Sequence, residues 1–378
     1  MKLFHLSDLH LGKRVLEVSM LSDQAHILEQ ILAHVKAQQP QAVLISGDVY
    51  DKPVPPVEAV RLFDDFLWNL VSRDVQVLVI SGNHDSPERM AFGGRIMQQG
   101  GVSLAPAYEG PLIPITLKDE HGPVDIYLLP FIKPAHVRAA FPQTQVSTYS
   151  QAVAQALTEL PLVPSHRSVL AAHQFVTGAV TCQSEEISIG GMDNVDGSVF
   201  DAFDYVALGH LHSPQHVGRD TLRYCGAPLA YSFSEAGQTK SVTMVLLEEK
   251  NHVSVSTLPL IPLREMRKLR GTYLELTARS TYLGTHTEDY LHIILTDEQD
   301  IPDAIGRLRS IYPNVMQLSY DNQRTRSQAH VIPAEHAQRK SPLELFEQFY
   351  ETQNGSSITP QQEDLLRDFI ESVWEGGA

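Results

Sequence analysis

The sequence predicts an α/β protein: two stacked sheets, then a small α+β unit and a helical tail. Three observations lead there. Up to about residue 105, apolar β-favouring runs alternate with amphipathic helical segments, the pattern of βαβ units around a largely parallel sheet. From about Leu112 to Leu258 the runs become shorter and more strand-like, which indicates a second sheet packed on the first. After Pro262 the composition shifts again, and a polar stretch without periodicity, Asp321 to Lys340, precedes two capped helices.

Taken in order, Leu3-Phe4-His5-Leu6-Ser7 is the first strand and leads into Asp8-Leu9-His10. An amphipathic segment follows, roughly Met20 to Ala37. Val43-Leu44-Ile45-Ser46 is the second strand and ends in Gly47-Asp48. A branched apolar run closed by glycine and an acid is how a buried parallel strand delivers a carboxylate to its C-terminal edge. Pro56 to Val71 reads as a helix with Val60, Phe63, Leu67 and Leu70 on one stripe. The third strand, Val77 to Ser81, runs into Gly82-Asn83-His84-Asp85, and Pro87 to Gln98 is a further helix. Ligand sites of open α/β sheets collect at such strand ends.

In the second region Ile126–Leu129, Val169–Ala172, Tyr205–Leu208 and Val242–Leu247 are strands, with one helix near Gln151 to Leu160. In the third, Tyr273–Leu276, Leu291–Leu295 and Val315–Tyr320 are strands and Pro302–Ile311 a helix. The expected division is therefore residues 1–262, an α+β unit 263–321, a linker 322–340 and a helical segment 341–378. Ser341-Pro342-Leu343-Glu344 and Thr359-Pro360-Gln361-Gln362 each set a hydroxyl at N-cap, proline at N1 and Glu or Gln at N3, two capping boxes. The second tail helix carries Leu366, Phe369, Ile370, Val373 and Trp374 on one face.

Composition narrows the function classes. A 378-residue chain that is 43% hydrophobic and 20% charged has ample material for a core. Cys182 and Cys225 lie far apart in no paired motif, so neither a disulfide framework nor a Cys-rich zinc site is implied, which fits a reducing compartment. Asp8 and His10 break the N-terminal apolar run, and no stretch has the ~18 apolar residues of a membrane span, so the expectation is a cytoplasmic protein without a signal peptide. The formal net charge of −16 opposes phosphate binding. A local basic groove, bound cations or a basic partner reverses that sign where it matters.

Five short signals recur: Asp8-x-His10, Gly47-Asp48, Gly82-Asn83-His84-Asp85, Ala172-His173 and Gly209-His210-Leu211-His212. Singly, each has a bland explanation as a capped turn or a satisfied core histidine. His210 and His212 sit at alternate positions, which face the same way on an extended chain. Together the signals all fall where a β-rich run meets glycine or polar sequence, so one sheet edge can host them. Carboxylate, amide and imidazole donors in combination suit Mn²⁺, Fe²⁺ or Zn²⁺ better than Ca²⁺.

The ordered series resembles the D-x-H, G-D, G-N-H, H and G-H-x-H pattern of the calcineurin-like metallophosphoesterase family, over roughly residues 1–260. Within that family, Met1-Lys2-Leu3-Phe4-His5-Leu6-Ser7-Asp8-Leu9-His10-Leu11-Gly12, Ser81-Gly82-Asn83-His84-Asp85-Ser86 and the run from Tyr224-Cys225-Gly226-Ala227-Pro228 to Ser232-Phe233-Ser234-Glu235 are similar to the SbcD group of nucleases. The α+β unit and helical tail follow in the order of that group's capping domain and partner-binding segment.

The resemblance implies a four-layer α/β/β/α sandwich and two divalent ions, manganese in this group. Asp8, His10, Asp48 and His212 would hold one ion and Asp48, Asn83, His173 and His210 the other, with Asp48 shared. His84 would be a catalytic histidine that does not ligate. The implied activity is that of a DNA nuclease, a 3′–5′ exonuclease on duplex ends and an endonuclease on single strands and hairpins. It would act in DNA repair and recombination with the SbcC ATPase, which the C-terminal helices would bind, as a homodimer within a heterotetramer. Two divalent cations outweigh Asp8, Asp48 and a hydroxide by one positive charge, the complement of a phosphodiester. A third carboxylate in place of Asn83 would cancel it.

Two rivals remain. Phosphomonoesterases of the superfamily that act on phosphoproteins follow their central Gly-Asp with Asp-Arg-Gly. Here Asp48-Val49-Tyr50-Asp51-Lys52-Pro53 has no arginine, and Ser81-Gly82 rather than Arg-Gly precedes Asn83. Archaeal and eukaryotic relatives often carry histidine where this chain has Asp51, so no role transfers to that position. A non-catalytic scaffold is the rival of another class, yet all seven donor positions and His84 carry competent side chains. The helix Pro56–Val71 and the one after Asn83 serve either as dimer elements or as sheet-packing faces.

Overall fold

The computed structural model describes residues 1–158, 160–185, 193–322, 342–354 and 357–376. Strands Lys2–Leu6, Ala42–Ser46, Gln76–Ile80 and Val102–Ala105 pair in parallel in that order. The first three are buried almost throughout because both faces are covered, while in the edge strand Val102–Ala105 only Val102 is buried. Phe4, Leu6, Val43, Ile45, Val77 and Val79 meet the helices Leu21–Gln38 and Val57–Val71, while Leu3, Ala42, Leu44, Leu78 and Ile80 face the second sheet.

That second sheet runs Gln215–Val217, Arg219–Tyr224, Tyr205–Gly209, Arg167–His173, Gly122–Leu129, Ile115–Asp119. Ile126, Leu128, Val169, Ala171 and Ala207 close the space between the sheets. On its outer face Leu129, Leu170, Ala172, Val206 and Leu208 pack with Val137, Ala152, Val153 and Ala156 of the helices Pro134–Ala140 and Tyr149–Thr158. The result is the expected four-layer α/β/β/α sandwich. Parallel register sets Leu6 beside Ile45, Ser46 beside Ile80 and, on the facing sheet, Gly209 beside His173, so the chemical signals share one edge.

The α+β unit has three parallel strands, Met266–Gly271, Tyr290–Leu295 and Val315–Tyr320, with Ala304–Arg309 among its helices. It is fastened to the sandwich at buried Asp23, whose Oδ2 accepts Tyr290 O–H at 2.8 Å and Arg264 Nη1 at 2.9 Å. No described helix is long and apolar enough to cross a membrane.

The structure corrects several sequence expectations. Ser241–Leu247 belongs to the first sheet, antiparallel to Lys2–Leu6 and followed by Val253–Pro259, so the chain returns to cover the open side of its first strand. Tyr273–Leu276 is not a strand. A capping box at Thr272, with Thr272 N donating to Glu275 Oε2 at 2.8 Å and Glu275 N to Thr272 Oγ1 at 3.3 Å, starts the helix Tyr273–Thr277, and the strand lies just upstream. The helix after Asn83 is two short ones, Pro87–Ala91 and Gly94–Gln99, broken at Gly93 with φ +75°. Helix Val57–Val71 buries Ala59, Phe63, Phe66, Leu67 and Leu70, leaving Val60 exposed.

Asp321 and Asn322 stay with the α+β unit, through Arg270 and the Asp297 carbonyl. The rest of the expected linker, Ser341 of the first tail capping box, and the side chains of Val373 and Trp374 lie outside the described residues. The second capping box forms, with Thr359 N donating to Gln362 Oε1 at 2.8 Å.

Candidate metal centre

The strands leave the sheet edge through left-handed turns. Asp8 (φ 54°), His10 (43°), Asp48 (51°) and His210 (101°) are four of the ten non-glycine residues with positive φ among those described. Each such conformation costs about 1–3 kcal/mol and persists where the surroundings over-determine it. Glycines precede the donors because nothing else fits. A Cβ on Gly47 would lie 2.3 Å from His173 Nδ1, on Gly82 2.1 Å from Asp48 Oδ1, and on Gly209 1.9 Å from the Ser46 carbonyl oxygen.

The side chains gather in two groups. Asp8, His10 and His212 form the first, with His10 Nε2 3.1 Å from His212 Nε2. In the second, Asn83 Oδ1 lies 3.1 Å from both His173 Nε2 and His210 Nδ1. Asp48 stands between them: its Oδ2 is 3.3 Å from His173 Nε2 and 3.7 Å from His10 Nε2, while Oδ1 accepts the His84 N–H at 2.9 Å. Asp8 also accepts the His210 N–H, at 3.1 and 3.2 Å. His210 and His212 do not face the same way as an extended chain would have them. The left-handed turn at His210 sends the two rings into different groups.

Other residues hold these side chains in place. His173 Nδ1 donates to the Ser46 carbonyl at 2.8 Å, and Ser184 Oγ lies 2.8 Å from His212 Nδ1. His84 Nδ1 donates to the Asp51 carbonyl at 3.1 Å, leaving Nε2 4.0 Å from Asp48 Oδ2. Gln24 Nε2 donates to the His10 carbonyl at 2.7 Å and to Tyr231, whose hydroxyl binds the Leu9 carbonyl. Asp85 accepts from Gly82, Val49 and Tyr50 N–H groups at 2.9, 3.1 and 2.9 Å, tying two strand-end loops together. Sequence reasoning gave no role to Gln24, Asp85, Ser184 or Glu235. Asp85 beside His84, and Glu235 closing the SbcD-like run, were visible signals, whereas Gln24 and Ser184 sit in no local pattern.

Burial sets the electrostatics. It pushes Asp8 up to about 6 against the pull of His173 and His212. It drives His10 well below the usual imidazole range and, with His173 adding to it, His210 down to about 3. Neutral imidazoles offer the lone pairs that ligation needs. Burial also opposes charge on Asp48 and His173, but each outweighs it for the other, holding Asp48 well below the carboxylate range and raising His173 to about 9.

This donor set fits two divalent cations. Two buried carboxylates, one amide oxygen and four imidazoles converge, and two imidazole nitrogens face each other across 3.1 Å, which calls for a shared proton or a cation. A family model described as Calcineurin-like phosphoesterase matches residues 1–214, more than half the chain and all seven donors.

The chain belongs to the calcineurin-like phosphoesterase family. As a member it is a metal-dependent hydrolase of phosphate esters. A second model, described as Type 5 capsule protein repressor C-terminal domain, matches residues 262–354. The chain is 30% identical over 380 residues to a protein of Staphylococcus epidermidis named as the D component of the nuclease SbcCD, covering 99% of each. It is 29% identical over 382 residues to the protein of that name in Staphylococcus saprophyticus, covering 100% of each. Among solved structures, a dimetal phosphatase from Danio rerio aligns with 69% of this chain and 99% of its own, at 12% identity and a TM-score of 0.41.

Proposed function

We propose that this phosphoesterase is a manganese-dependent DNA nuclease that degrades duplex ends 3′ to 5′, cuts single strands and hairpins, and works with an SbcC-type ATPase in DNA repair and recombination. The observation that carries the reading is Asp48, one of whose oxygens faces His173 at 3.3 Å and His10 at 3.7 Å. Asp8, His10, Asp48 and His212 would hold one ion, and Asp48, Asn83, His173 and His210 the other. Two divalent ions bound there supply Lewis acidity to the phosphoryl group and make water nucleophilic near neutral pH.

The names of the staphylococcal relatives support DNA as substrate. So does the chain after Gly47-Asp48, where no arginine is available to grip a terminal phosphate and the Val49 and Tyr50 N–H groups are committed to Asp85. His84 is half-buried while the other imidazoles are buried. With Nδ1–H satisfied by the Asp51 carbonyl, a protonated His84 presents Nε2–H to the departing 3′ oxygen, general-acid help of about 10²–10⁴-fold.

Tail helices Pro342–Asn354 and Pro360–Gly376 expose Phe346, Phe349, Leu365 and Phe369, an apolar surface suited to docking on a partner's helices. Trp68 (72% exposed) and Val57 on the outer side of helix Val57–Val71, with Phe92 (87%) and Ile96, support a homodimer within a heterotetramer.

End-labelled linear duplex and a generic phosphomonoester, each with Mn²⁺ and then EDTA, test the reading. The expected result is EDTA-sensitive shortening of DNA from its 3′ ends, with His84→Ser retaining its metal but losing most turnover. Faster cleavage of the monoester would make the chain a phosphatase, and no hydrolysis of either would leave a scaffold.

A further inference from the structure

Behind His212, away from Asp8 and His10, lies a buried polar set that the chemistry above does not use. Ser184 Oγ is 2.8 Å from His212 Nδ1 and donates to Glu235 Oε1 at 2.6 Å. Glu235 Oε2 takes Lys240 Nζ at 2.5 Å, and Lys240 also donates to the His212 carbonyl at 2.9 Å. Glu185 Oε1 accepts the His212 N–H at 2.6 Å. Every polar group of His212 except Nε2 is thus engaged from this side.

The proton positions follow from the donor inventory. A carboxylate bound to a lysine only accepts, so the single Ser184 proton goes to Glu235. Ser184 Oγ must then accept from His212, which places the ring proton on Nδ1 and turns the Nε2 lone pair toward His10 and Asp8. Glu235 is 1% exposed and Lys240 5%. An ion pair that buried contributes little net stability, so its value lies in what it orients. Cys182, His212 and Glu235 also bring three donor atoms within 4.8 Å of one another. Lys240 already supplies the cation on Glu235, and the Ser184 hydroxyl covers His212 Nδ1, so the arrangement is a relay rather than a third metal site.

We propose that Glu235, acting through Ser184, is a positioning residue that fixes the tautomer and orientation of His212 for one of the two ions. The inference rests on the two-ion reading given above. His173 is oriented instead by the Ser46 carbonyl, so the effect is confined to one ion.

The test is Mn²⁺ binding by calorimetry, with the EPR spectrum separating a spin-coupled pair from isolated Mn²⁺. Ser184→Ala removes the bridge and leaves the Glu235–Lys240 pair. It weakens one ion about 10–100-fold and leaves the other unchanged, so isolated Mn²⁺ dominates at intermediate metal. The double variant Glu235→Leu/Lys240→Met replaces the ion pair with apolar side chains, keeps the fold and shows the same selective loss. Wild-type affinity for both ions in these variants overturns the relay, as does equal loss of both ions in folded protein. Loss of a third equivalent from the wild-type stoichiometry overturns it in favour of a cation site. Fewer than two ions in the wild-type protein instead brings down the two-ion reading, and the relay with it.

Discussion

Alanine at position 82 sets a methyl group where the Asp48 carboxylate lies. The added Cβ falls 2.1 Å from Asp48 Oδ1, 2.6 Å from its Cγ and 2.5 Å from its backbone nitrogen, against the 3.4 Å at which ordinary contact begins. Relief needs a retreat of 1.3 Å, the difference between 3.4 and 2.1 Å. Rotating the carboxylate does not provide it, because the backbone nitrogen is also too close and Oδ1 is held by the His84 N–H. The loop carrying Asn83 and His84 must move instead.

Gly82 does not occupy the left-handed region, so the penalty is steric alone. Overpacking of this kind costs about 1–3 kcal/mol. Displacing catalytic groups by ~1 Å costs about 10²-fold in rate. Gly82→Ala is therefore expected to lose about 10²-fold in kcat on linear duplex. Both ions should bind more weakly, since Asp48 serves both groups. Gly122→Ala is the control: its φ is +100° and its Cβ meets nothing within 4 Å, so it bears only the left-handed backbone penalty of about 1–2 kcal/mol and keeps metal and activity. Thermal melts, Mn²⁺ calorimetry and turnover of both variants decide the matter. A Gly82→Ala protein with two tightly bound ions and near wild-type turnover refutes the steric reasoning.

Asp48→Asn is expected to weaken both ions together, read by elemental analysis after dialysis; emptying of one alone removes its role as the shared ligand. His173, raised to about 9 by Asp48, holds a proton at neutral pH that a metal must displace. Mn²⁺ affinity should therefore rise with pH, by about tenfold per unit from pH 7, and level off above about 9. Calorimetry in buffers of different ionisation enthalpy should show a proton released at pH 7.5, and affinity independent of pH over that range contradicts the pairing. Truncation after residue 341 should abolish co-purification with an SbcC-type ATPase while sparing Mn²⁺-dependent cleavage, and continued co-purification refutes docking through the tail.

Most of the donor set was legible because buried parallel strands are conspicuous and their ends cannot hide. A run such as Val43-Leu44-Ile45 has no other use than burial on two faces, and the glycine after it is required by the Ser46–His173 approach. Strand partnership was not legible. Ser241–Leu247 reads identically whether it joins the first sheet or the second, since pairing is decided by distant residues. Tyr273-Leu274-Glu275-Leu276 alternates like a strand, but the local competition was won by Thr272 and Glu275, a cap of the same kind that the tail advertises with proline. The true strand, Met266–Gly271, hid behind Arg267, Lys268 and Arg270, of which Lys268 and Arg270 lie on one exposed face. Ser184 and Glu235 meet only in the folded chain, 51 residues apart.

The backbone at the donors explains why the first two loops act as one. Asp and His are among the few residue types that tolerate the left-handed region, so at the candidate donors Asp8, His10, Asp48 and His210 one choice of side chain meets the demand of the backbone and also offers a ligand atom. Four such residues at about 1–3 kcal/mol each add up to a strain comparable with the ~5–15 kcal/mol net stability of a whole domain. No single loop can sustain that by itself. The loops are instead laced together: Asp8 N donates to the Gly47 carbonyl at 3.0 Å, His10 N to Asp48 at 3.0 Å and Leu11 N to Val49 at 2.9 Å, with Asp85 binding the third loop to the second. Asp8, His10 and Asp48 are thus held backbone to backbone across two loops, while the His210 N–H is held by the Asp8 carboxylate, so a change that frees one of these residues loosens its neighbour.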